Sequence, residues 1–128
     1  MNNKLNLHHI ELAKTGLGVS GGEICLLELV KNLNDKFNQI IYTTENGKIA
    51  YKRNKANVKY VVVSPFWIEK VFGVYISFLL RILVSFSKIQ KFKRNFTYTP
   101  SFIIFLEDKE YSLRTENGGY TIFVKARK

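Results

Sequence analysis

Residues Leu5 to Leu33 constrain the fold of this chain more than any other stretch. Leu5-Asn6-Leu7-His8-His9-Ile10-Glu11-Leu12 contains few breakers and reads as a buried strand, though so short a run leaves helix open. Ala13 to Ser20 reads as a loop, in which Gly16 and Gly18 allow backbone angles that other residues resist. A helix then starts near Gly22, with Leu26, Leu29, Val30 and Leu33 at i, i+3, i+4 and i+7 forming one apolar stripe. Glu23 falls in its first turn, where a carboxylate suits the helix dipole. Strand, glycine loop and amphipathic helix together require a sheet to pack on.

The following residues supply such a sheet. Asn34-Asp35 ends the helical pattern and Phe37-Asn38 carries the turn; Gln39 to Thr43 is a second short strand, and Thr44-Glu45-Asn46-Gly47 reads as a turn. Lys48 to Lys55 is polar and basic, consistent with one short helix. Asn57 to Ser64 is a third strand whose Val61-Val62-Val63 run suits a parallel strand covered on both faces. Pro65 ends it, and Trp67 to about Lys91 reads as one long helix. Its apolar middle, Val71 to Phe86, is shorter than the ~20 residues of a spanning helix and contains Arg81. It is expected under a sheet or lying against a bilayer. The alternation of strands and helices predicts an α/β fold, a Rossmann-like parallel sheet with flanking helices and right-handed crossovers.

After Asn95 the helical period disappears. Phe102-Ile103-Ile104-Phe105-Leu106 resembles a strand. Tyr111 to Thr115 and Tyr120 to Val124 flank Glu116-Asn117-Gly118-Gly119, a strong hairpin signal. The expected organisation is residues 1–94 as a half-domain and 95–128 as a hairpin-like tail, either a sheet edge or an unrelated, out-of-frame end.

The 128 residues suffice for one domain with a real core, and 46% hydrophobic against 23% charged content argues against wholesale disorder. A net charge of +10 favours an anionic partner, against the plainer reading of solvated lysines and compositional bias. Cys25 is the single cysteine, so no intrachain disulfide forms. No early apolar run is long enough for a signal peptide, which predicts a cytoplasmic chain, with peripheral attachment at the inner face of the membrane as the alternative.

The candidate chemistry centres on the glycine loop. Gly18, Gly21 and Gly22 let backbone N–H groups approach an anion at a helix N-terminus. Gly16-x-Gly18-x-x-Gly21 formally matches a dinucleotide fingerprint, but Glu45 is its only candidate ribose acid. A tight structural loop explains the same glycines. His8 and His9 face opposite sides of a strand and read as core or edge residues rather than bases. No histidine or cysteine set makes a metal site, and no cofactor is implied. Cys25 reads as a buried, inert thiol, and Glu11 and Glu23 as neighbours at one loop mouth. Lys88, Lys91, Lys93 and Arg94 form a basic edge suited to anionic headgroups. Interleaving with Phe86, Phe92 and Phe96 also fits nucleic acid, which ranks last because no binding motif accompanies it.

Leu7 to Leu12, Gly18 to Leu33 and Ile40 to Thr44 resemble the amino-terminal half-domain of glycosyltransferases with two Rossmann-like domains, the GT-B fold, family-4-like. The resemblance spans roughly residues 5 to 90, and it carries Gly21 and Gly22 over as the loop glycines. It implies sugar transfer from a nucleotide-sugar donor to an acceptor held on this side of a cleft, with the loop approaching the donor phosphates. It also implies a truncated or split transferase, inactive alone, because no donor-binding domain and no catalytic-loop histidine or aspartate follows Asn95. The alternative is a non-enzymatic basic module on a membrane surface or other polyanion.

Overall fold

The computed structural model describes residues 4–12, 18, 21–54, 58–91, 95–98, 102–108, 110–115 and 122–126. β1 (Leu5–Glu11) leads to α1 (Gly21–Leu33), β2 (Phe37–Thr44), α2 (Glu45–Arg53) and β3 (Lys59–Ser64). Then come α3 (Phe66–Phe72), α4 (Val74–Lys91), β4 (Phe96–Tyr98), β5 (Phe102–Leu106), β6 (Tyr111–Thr115) and β7 (Ile122–Ala126). The protein is α/β. One sheet of five strands has the order β3-β2-β1-β5-β4, and β6 and β7 form a second, two-stranded sheet.

The sheet is mixed. β1, β2 and β3 run parallel, as the strand–helix alternation predicts. On the other flank of β1, β5 runs antiparallel, from Leu7 opposite Leu106 to Glu11 opposite Phe102, and β4 pairs antiparallel beyond it. The residues after Asn95 therefore supply two strands to the main sheet. Strand alternation sorts the side chains into two faces. Leu7, Ile41, Phe102, Ile104 and Leu106 share one core with Leu26, Leu29 and Val30 of α1 and Tyr51 of α2. His8, Tyr42 and Phe105 lie on the other face, where α4 packs and Phe105 stacks on Phe96 at 5.8 Å between ring centres.

Four local readings need correction. Thr44-Glu45-Asn46-Gly47 is a helix start rather than a turn: Thr44 Oγ1 accepts from Gly47 N at 3.0 Å as the N-cap of α2. Phe37 belongs to β2 and is buried, so the chain turns over Asn34–Lys36. The Val61-Val62-Val63 run lies in the outermost parallel strand, and Val61 is 40% exposed. The long helix is two helices, broken at Gly73, whose φ of +87° and ψ of 172° suit only glycine. The hairpin holds as β6 paired with β7, Thr115 opposite Ile122, while its Glu116–Gly119 turn lies outside the described residues.

A Cβ at Gly73 meets nothing within 4 Å, so substitution there costs backbone strain alone. Gly73→Ala is expected to lower unfolding free energy by about 1–3 kcal/mol in urea titration, with the far-ultraviolet spectrum unchanged.

Candidate functional site

In open α/β sheets the strands' carboxyl ends are where ligands meet the chain. Here β1 ends at Glu11, β2 at Thr43 and Thr44, and β3 at Ser64, and all four are buried. Glu11 accepts a 2.6 Å hydrogen bond from the Tyr51 hydroxyl of α2. Burial raises the Tyr51 pKa most, and the charges of Glu11 and Glu23 push it further up. Glu23 sits buried in the first turn of α1, so both carboxylates act on one hydroxyl from two elements.

The other side of this edge is organised by Arg81 of α4, which is fully buried. Its guanidinium donates to the Leu12 carbonyl from Nε at 2.9 Å and Nη2 at 2.6 Å. Its Nη1 donates to Ser77 Oγ at 2.9 Å. Ser77 Oγ in turn donates to Glu69 Oε1 at 3.2 Å and accepts from Ser64 Oγ at the tip of β3. That fills the one donor and two acceptor places of a hydroxyl. Burial lowers the Arg81 pKa, opposed by the charges of Glu11 and Glu69. Arg81 thus pins the residue where β1 leaves the sheet.

Glu45 Oε2 accepts from Phe66 N at 2.8 Å, at the start of α3. It serves there as a helix-end acceptor. Gly18 is exposed in a bend, and Gly21 and Gly22 are the first two residues of α1. The remaining loop residues, Ala13–Leu17, Val19 and Ser20, lie outside the described residues. Of the basic edge, Lys88 stands 5.5 Å over the Tyr42 ring, facing the sheet, and Lys91 is exposed in the last turn of α4. Lys93 and Arg94 lie outside the described residues. Cys25 is half-buried.

The two histidines do point to opposite faces. Burial lowers the His8 pKa, so its neutral ring donates from Nε2 to Glu107 Oε2 at 2.8 Å and accepts at Nδ1 from the Tyr42 hydroxyl at 2.9 Å. His9 is wholly buried. Gln39 donates to the Val30 carbonyl and accepts from His9 Nε2 at 2.9 Å, which leaves His9 Nδ1 a buried acceptor without a partner. Neither ring reaches the carboxyl edge to serve as a base there.

The carboxyl edge is acidic, with Glu11 and Glu69 acting on Arg81 and Glu23 acting on Tyr51. Its carboxylates suit hydroxyl groups, and an anion there fits only backbone N–H groups at the start of α1. A cavity of about 440 Å³ at the opposite, amino-terminal edge touches Lys4, Asn6, Asn38 and Lys59. Gln39, the partner of His9, also lines it, and none of Glu11, Glu23, Tyr51 or Arg81 does. Tyr51, Ser64, Ser77 and Arg81 were not singled out as site residues from the sequence. The available signal was Arg81 as the one charge in the apolar run Val71 to Phe86, with Ser77 and Ser85 four residues to either side.

Two outcomes follow from these buried groups. Removing the guanidinium in Arg81→Ala strands the Leu12 carbonyl and two carboxylates, with an expected loss of about 3–5 kcal/mol in urea unfolding, of which Arg81→Lys recovers only part. His9 is held down to about 4 by burial, against 6.5 when unfolded. Between those values the unfolded chain binds the extra proton, so stability is full above pH 6.5 and falls as pH drops. Unfolding free energy is expected to fall by about 2 kcal/mol from pH 7 to pH 5, and His9→Met should flatten that slope.

Compared with known proteins, the chain matches no family model, no curated protein and no solved structure.

Proposed function

We propose that this chain is the acceptor-side half of a glycosyltransferase that moves a sugar from a nucleotide-sugar donor. The observation that carries the reading is the acidic carboxyl edge of three parallel strands, with the α1 N-terminus at Gly21 and Gly22 beside it. The GT-B resemblance of residues 5 to 90 supports the same assignment. In this reading the two chemistries of a transfer fall to different atoms. The N–H groups of Gly21 and Gly22, at the positive end of α1, face the donor's phosphates. Glu23, buried in the first turn, is placed to accept from acceptor hydroxyls, with Tyr51 and Glu11 behind it. Arg81 holds the strand exit at Leu12 and with it the entry to the loop. A donor-binding domain supplies the facing wall of the cleft.

The test is fusion of the chain to the donor-binding domain of a GT-B glycosyltransferase, followed by calorimetry with UDP- and GDP-sugars and a transfer assay on a glycan acceptor panel. Donor binding and transfer that fall at least about tenfold in Gly21→Val, with stability retained, are the expected result. A folded fusion in which Gly21→Val and Glu23→Gln leave binding and transfer at the parent level sinks the reading.

A further inference from the structure

From Val74 to Phe86, α4 turns its serines and its arginine inward and apolar residues out. Ser77, Arg81 and Ser85, one row at i, i+4 and i+8, are buried against the sheet. Tyr75, Leu79, Leu83 and Phe86 are each half or more exposed, and Trp67 and Phe72 of α3 extend the same apolar character, their rings in edge contact at 6.4 Å. A water-facing helix carries the reverse pattern. The sheet cannot cover this face, because the Ser77–Arg81–Ser85 row already occupies the sheet side.

We propose that the outer face of α3 and α4 rests in the interfacial layer of an anionic lipid bilayer. Among the described residues no helix is long and apolar enough to cross a membrane, so the pair lies along the surface. From Tyr75 to Phe86 the exposed stripe runs about 16 Å, with tyrosine at one end and tryptophan on the neighbouring helix, side chains suited to the boundary between headgroups and acyl chains. The charge selects the lipid. Among the described residues from Pro65 to Lys91 the bases Lys70 and Lys91 are exposed, Arg81 and Lys88 face the sheet, and the lone acid, Glu69, faces inward to Ser77. A second copy of the chain fits the face poorly, since each copy brings a net charge of +10. This surface is separate from the carboxyl edge and stands whether or not the chain serves in sugar transfer.

Trp67 is the chain's single tryptophan and lies within the proposed contact, so its emission reports docking directly. The protein is mixed with vesicles of phosphatidylcholine alone, or of phosphatidylcholine with phosphatidylglycerol, and followed by flotation and Trp67 fluorescence. The expected result is co-flotation and a blue shift only with the phosphatidylglycerol vesicles, weakening as salt rises. Leu83→Glu should reduce binding by about tenfold or more, and Lys91→Gln by a smaller factor. Ile49→Glu, on α2 and away from this face, should bind as the parent does. Equal binding to both vesicle types, binding to neither, or undiminished binding by a folded Leu83→Glu overturns the proposal. So does a concentration-dependent dimer that blue-shifts Trp67 without lipid, which would make the occupant a second copy.

Discussion

The Arg81 guanidinium on the Leu12 carbonyl is the contact around which the carboxyl edge is arranged. A fully buried guanidinium is tolerated only when its donors are satisfied and its charge is answered. Leu12, Ser77, Glu69 and Glu11 meet those demands from β1, α3 and α4, so the cation draws three elements to one point. The orientation of α4 follows from it. With Ser77, Arg81 and Ser85 committed to the sheet, the opposite, apolar stripe has only the outside left. An exposed apolar helix face is thus the geometric counterpart of a satisfied buried arginine.

How much of this was legible depends on whether the deciding interaction was local. The βαβαβ order was readable because period and propensity act within ten or twenty residues. The stripe Leu26, Leu29, Val30 lands in the core, with Leu33 half-buried at its end. What failed turned on partners distant in the chain. Val61 is exposed because β3 ended up outermost, a fact about strand order that the Val61-Val62-Val63 run does not encode. Thr44-Glu45-Asn46-Gly47 carries turn residues that serve equally as an N-cap and first helical turn, and only the continuation into Tyr51 separates the two. The glycine loop was located by its spacing, whereas Tyr51 and Ser64 reach the same edge through strands and helices far from it in sequence.

The two faces of β1 show how one strand divides polar duties. His9 and Glu11 point toward α1 and α2, where each has a neutral partner, Gln39 or Tyr51. His8 points toward α4 and lies between Tyr42 and Glu107. These side chains give three positions of one strand different hydrogen-bonding demands. A one-residue slip of β1 would break each of them, so the polar contacts fix register as firmly as the apolar ones do.

The antiparallel seat of β5 beside β1 has a consequence for synthesis. Leu7 pairs with Leu106, and Glu107 N donates to the Asn6 carbonyl at 2.9 Å, so a strand made early is completed by one made much later. While the chain is still on the ribosome, β1, α1 and β2 can assemble, but the other flank of β1 stays an open hydrogen-bonding edge until Phe102–Leu106 has left the exit tunnel. Until then the nascent protein carries an unpaired strand in the middle of its future sheet. That interval is when it has most need of a chaperone.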